Sequence, residues 1–133
     1  MFEKWINSML PKFLVLDDCE HFLELYERFL TETFPGAIVK KAINNKNAWS
    51  ILKNFYPDII ITDLAHPGED GYEFLVKIRR DPKKCSIPVI CISGCADALL
   101  RRGGGNGEQF NAILTKPMEL QILTDCIMKF LSC

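Results

Sequence analysis

Five short apolar runs alternate along the chain with amphipathic stretches of helical period, and that alternation sets the expected fold. FLVLD at 13–17 reads as a buried strand. The helical stretch from about Glu20 to Thr33 then places Phe22, Leu25, Tyr26, Phe29 and Leu30 on one face, and Pro35-Gly36 ends it. AIVKKA at 37–42 is a second strand, after which Asn44 or Asn45 can cap a helix carrying Ala48, Ile51, Leu52 and Phe55. DIIITD at 58–63 is apolar between its acidic ends, as suits a central parallel strand covered on both faces. LAHPGEDG at 64–71 is a loop by composition, followed by a helix defined by Tyr72, Phe74, Leu75 and Ile78 and closed by Asp81-Pro82. PVICIS at 88–93 is another buried strand. Residues 96–110 begin helically, but Gly103, Gly104, Gly105 and Gly107 cost about 1 kcal/mol each relative to Ala, so a shortened or mobile helix is expected. AILTK at 112–116 supplies the fifth strand, and 118–131 a last helix with Leu120, Leu123, Ile127 and Phe130 inward.

Strands that alternate with helices join through right-handed crossovers, so the expected class is α/β, a doubly wound five-stranded parallel sheet in a three-layer αβα sandwich. The flavodoxin-like order 2-1-3-4-5 sets the ends of the first and third strands side by side at the switch point, where such sheets bind ligands. Four of the runs end on polar residues there: Asp17-Asp18, Asp63, Ser93 and Lys116. They should therefore converge.

Composition narrows the function classes. A chain of 133 residues supports one ordinary domain, and 16 Lys+Arg against 17 Asp+Glu leave no broad basic footprint for nucleic acid or an anionic membrane. No apolar run approaches the roughly 20 residues of a membrane span. Cys19, Cys85, Cys91, Cys95, Cys126 and Cys133 form no CxxC pair and fit reduced thiols in a cytoplasmic protein. Residues 1–12 form an N-terminal amphipathic extension, with Phe2, Trp5, Ile6, Met9 and Leu10 at helical spacing. It packs on its own domain or serves as a docking or dimerisation surface.

Three clustered carboxylates repel one another, so they need a cation or raised pKa values. An all-oxygen set favours Mg²⁺, with Mn²⁺ as the other hard candidate. A carboxylate can also attack phosphorus to give an acyl phosphate, with a metal and a lysine ammonium stabilising the transferring oxygens. Taken singly, Asp17 and Asp18 could instead cap the first helix, and Asp63 could open a turn.

Asp17-Asp18, Asp63 within IITDLAHPGEDGYEFL, Ser93-Gly94 and Lys116-Pro117 together resemble the response-regulator receiver domain of two-component signalling, over residues 13–131. The resemblance makes 13–133 the receiver domain and Asp63 the phosphoacceptor. It implies Mg²⁺ held by Asp17, Asp18, Asp63 and the Ala65 backbone carbonyl, Ser93 as switch hydroxyl, Lys116 on the phosphoryl group, and a cis Lys116-Pro117 bond. The donor it implies is a sensor histidine kinase or histidine phosphotransfer protein. The output is a downstream protein target, reached by a switch rather than an enzyme, monomeric or weakly dimeric.

The departures bear on output. His66 stands where the family has Met, and Ile113 where it often has the aromatic that follows the switch hydroxyl inward. Ala65 and Cys95 lie where the family tunes dephosphorylation, and neither can orient water, so a long-lived phosphoryl group is expected. The alternatives are a receiver-like protein-interaction module that is not phosphorylated, and a phosphatase of the haloacid dehalogenase type, whose DxD motif the adjacent Asp17-Asp18 does not supply.

Overall fold

The computed structural model describes residues 10–63, 65–66, 69–94, 110–117 and 119–132. Residues 1–9 of the expected extension, the expected helix after Gly94 with its glycine patch, Cys95 and Cys133 lie outside the described residues. In chain order the elements are β1 (Lys12–Leu16), α1 (Glu20–Thr33), β2 (Ile38–Ala42), α2 (Asn45–Leu52), β3 (Ile59–Thr62), β4 (Ala65–His66), β5 (Glu69–Asp70), α3 (Gly71–Arg80), β6 (Val89–Ser93), β7 (Ala112–Thr115) and α4 (Leu120–Leu131). The main sheet is parallel in the order β2-β1-β3-β6-β7. Without the two-residue strands, that is the expected 2-1-3-4-5.

The central strands are apolar between their ends because both faces are covered. Period two sorts their side chains. Leu14, Leu16, Ile60, Val89 and Cys91 pack with Ala48 and Leu52 of α2 and Phe74, Leu75 and Ile78 of α3. Phe13, Val15, Ile59, Ile61, Ile90 and Ile92 pack with Leu23 and Leu30 of α1 and Leu123 and Ile127 of α4. The three-layer sandwich follows, with β2 at an edge and its Ile38, Lys40 and Lys41 exposed.

The N-terminal edge of the sheet is fixed by side chains. Arg79 of α3 donates to the carbonyls of Cys85 (3.2 Å) and Ile87 (2.8 Å) and to Asn111 Oδ1 (2.6 Å). That same Oδ1 accepts from the Val89 N–H at 2.8 Å, so α3, β6 and the entry to β7 share one polar knot. At α2, Asn44 Oδ1 accepts the Asn47 N–H at 2.7 Å while Asn47 Oδ1 accepts the Ile43 N–H at 3.1 Å. The reciprocal pair satisfies donors that a helix start leaves open. Past the end of α1, Gly36 takes φ +90° with Leu10 packed over it.

Two local expectations change. The stretch 64–71, expected as loop, closes into an antiparallel ribbon in which Ala65 faces Asp70 and His66 faces Glu69. On α1, Phe22 and Leu25 were expected on the core face, yet they are 40% and 47% exposed while Leu23 is buried. Apolar residues flank the sheet-facing line of this helix, and the flank bearing Phe22 and Leu25 is left uncovered. Leu120, expected inward on α4, is likewise exposed.

Candidate functional site

The ladder continues one residue past each strand end and so pins the backbone of the site. The Asp17 N–H donates to Ala42 O (3.0 Å), that of Asp63 to Leu16 O (3.1 Å), and that of Lys116 to Ser93 O (3.1 Å). Val15, Leu16, Ile61, Thr62, Ile92 and Tyr26 line the space under the two aspartates. Parallel strands thus deliver three charged side chains to one rim.

Lys116 joins them. Its Nζ lies 2.7 Å from Asp63 Oδ2 and 4.0 Å from Asp17 Oδ2. Asp17 is 2% exposed; its Oδ1 accepts the Cys19 N–H at 2.9 Å, and its buried Oδ2 has no hydrogen-bond partner among the described residues. Burial pushes the Asp17 carboxyl above its ordinary value, against the pull of the Cys19 hydrogen bond and the Lys116 charge. Burial alone would lower the Lys116 ammonium, but the hydrogen bond and charge of Asp63, with Asp17 behind it, outweigh it and raise it.

Among the described residues no three Asp, Glu, His or Cys side chains form a ready cage for a metal. A Mg²⁺ ion does not need one, since it retains waters and takes one or two carboxylates plus phosphate oxygens. The residues present fit that demand. Asp17 Oδ2 is a buried carboxylate oxygen without a donor, and the donor set is oxygen only.

The other residues singled out in the sequence fall as follows. Ser93 is the last residue of β6 and fully buried. Asp18 is exposed beside Asp17, and Ala65 places its backbone in β4, two residues beyond Asp63. Ile113 is half-buried against the cluster beneath α2 and α3. Lys116-Pro117 is cis. Cys19, Cys85 and Cys126 are free thiols, and Cys91 is buried in β6.

Two neighbours of the site were not singled out for it. The Phe22 ring centroid is 4.8 Å from Lys116 Nζ, inside cation–π range, and burial raises the pKa of Tyr26, whose phenol senses Lys116, Asp17 and Asp63. Their only sequence signal is an aromatic in the first two turns of the helix after the acidic pair. Periodicity assigns both to the core.

The comparisons agree with this geometry. Residues 13–128 match the model of the response regulator receiver domain. An uncharacterized 14.6 kDa protein of Leptolyngbya boryana is 37% identical over 111 residues, covering 80% of this chain and 79% of that protein. The response regulator PleD of Caulobacter vibrioides is 32% identical over 111 residues; the match covers 84% of this chain but only 24% of PleD. The signal receiver domain of a signal transduction histidine kinase from Syntrophus aciditrophicus superposes with a TM-score of 0.77 at 26% identity, covering 92% of this chain and 90% of that one.

Proposed function

The chain belongs to the response regulator receiver domain family, and on that premise we propose that it is a phosphorylation-dependent switch with Asp63 as phosphoacceptor. The observation that carries the reading is the ion pair from Lys116 to Asp63 beside the buried Asp17. A carboxylate oxygen of Asp63 attacks phosphorus, an O–P bond forms, and the P–N bond of a donor phosphohistidine breaks with its electron pair going to the imidazole nitrogen. As Asp63 becomes an acyl phosphate, the Lys116 ammonium passes from its carboxylate to the phosphoryl oxygens. Asp17, Asp18, Asp63 and the Ala65 carbonyl would hold Mg²⁺ or Mn²⁺, which neutralises charge on the transferring group. The Ser93 hydroxyl would receive a phosphoryl oxygen.

The donor class is a sensor histidine kinase or histidine phosphotransfer protein, and the output a downstream protein target. No helix among the described residues is long and apolar enough to cross a membrane. The location proposed is the cytoplasm, where such donors present their phosphohistidine. The absence of a water-orienting side chain at Ala65 supports a long-lived phosphoryl group. Ile113 favours a second reading, a receiver-like interaction module that is not phosphorylated.

One measurement decides between them. Incubation with Mg²⁺ and acetyl phosphate should add about 80 Da, roughly one phosphoryl group, to the wild type and nothing to Asp63→Asn. No gain in the wild type overturns the switch and leaves the inert module.

A further inference from the structure

Phe22 lies outside both buried clusters of the described residues. It sits in the first turn of α1, 40% exposed, and lines an apolar groove of about 510 Å³ with Leu25, Tyr26, Phe29, Lys116, Pro117 and Leu120. Among the described residues its ring meets the His21 ring, 6.1 Å away, and the Lys116 ammonium at 4.8 Å from its centroid. Among the described residues, Lys116 Nζ thus meets the Asp63 carboxylate, the Asp17 carboxylate and one aromatic face.

Those neighbours differ in what phosphoryl transfer does to them. Acyl phosphate formation removes the charge of the Asp63 carboxylate, so its 2.7 Å ion pair must be exchanged for one to the phosphoryl oxygens. A bound divalent cation competes with the ammonium for Asp17. The quadrupole of the Phe22 face changes in neither event. A lysine is a point charge on a flexible four-carbon stem, and its placement depends on what surrounds its head.

We propose that Phe22 is a positioning residue, whose ring holds the Lys116 ammonium over the site while Asp63 turns from carboxylate into acyl phosphate. This rests on the phosphoryl-accepting reading of Asp63. The same ring and the same ammonium line the groove.

The test has two arms. Nuclear magnetic resonance of the unphosphorylated protein reads the ε-methylene protons of Lys116. They should be shifted upfield by the ring, lose that shift in Phe22→Leu and Phe22→Met, and keep it in Phe22→Tyr. Intact-mass kinetics with Mg²⁺ and acetyl phosphate should slow about two- to fivefold in the Leu and Met variants, the range for losing one exposed cation–π contact, and recover to within about twofold in Phe22→Tyr. Resonances or rates unchanged in Phe22→Leu and Phe22→Met, with normal wild-type phosphorylation, overturn the positioning role alone. A wild type that gains no mass overturns the phosphoryl reading and this role with it.

Discussion

Replacing Lys116 with methionine keeps the length of the side chain and removes its charge, leaving Asp17 and Asp63 to face each other without their ammonium. At about 4 Å a unit charge pair is worth roughly 1 kcal/mol in water and about 4 kcal/mol at an effective dielectric of 20. The Lys116 side chain is 27% exposed and that of Asp63 13%, so solvent screens part of the interaction. Losing a charged hydrogen bond of this kind costs about 1.5–3 kcal/mol, less than the 3–5 kcal/mol of breaking a fully buried pair. For a domain of this size that is a fall in Tm of about 5–15 °C near neutral pH.

The pH dependence carries the sign. The folded-state pKa of Asp17 is raised, so its contribution to stability is full below the ordinary carboxylate value and is lost as pH rises through the raised one. Without Lys116 that loss should deepen. The deficit of Lys116→Met relative to wild type should therefore narrow as pH falls into the carboxylate range. At the alkaline end the deficit narrows again. The pKa of Lys116 is also raised, so the wild type loses its stabilisation as pH climbs through that value, while the variant has nothing to lose. Thermal melts by circular dichroism across the pH range measure both arms. A deficit that is the same at every pH, or a melting temperature equal to wild type at neutral pH, would refute the argument that charge pairing holds this rim together.

Other sites give sharper local tests. Arg79→Leu removes the charged donor to the Cys85 and Ile87 carbonyls and to Asn111, and should cost about 2–4 kcal/mol in urea unfolding. Asn44→Ala removes the cap accepted from Asn47 and should cost about 1 kcal/mol, with less loss in Asn44→Ser; equal losses would argue against capping. Gly36→Ala should destabilise by about 1–2 kcal/mol, because φ is +90° and the new methyl would sit 2.9 Å from a Leu10 side-chain carbon. The double variant Gly36→Ala, Leu10→Ala should recover part of that cost, since only the clash is relieved.

Some of this molecule was written plainly in its residue order. The run from Ile59 to Thr62 could only be a doubly covered strand, and Asp63 at its end had to reach the same rim as Asp17 once their strands paired. Lys116 was legible for the same reason, since a strand end fixes where a side chain begins. The face of α1 was not. Leu23, Leu25, Tyr26, Phe29 and Leu30 make a broad apolar arc, and periodicity alone does not say which flank the sheet covers. The Ala65–His66 ribbon was also hidden, because two backbone pairs between short polar segments leave no hydrophobic signature. Phe22 escaped because the helix pattern explained it adequately as core, and its partner Lys116 belongs to the far end of the chain.

The 53-residue separation between Asp63 and Lys116 also orders events during synthesis. At translation rates of about 5–20 residues per second, the lysine follows the nucleophile out of the ribosome by roughly 3–10 s. During that interval β1 and β3 can pair, and Asp17 and Asp63 stand together before their ammonium exists. The nascent rim must borrow a cation from solvent or leave its carboxylates protonated or apart. The strand made after them thus supplies the charge that the first and third have gone without.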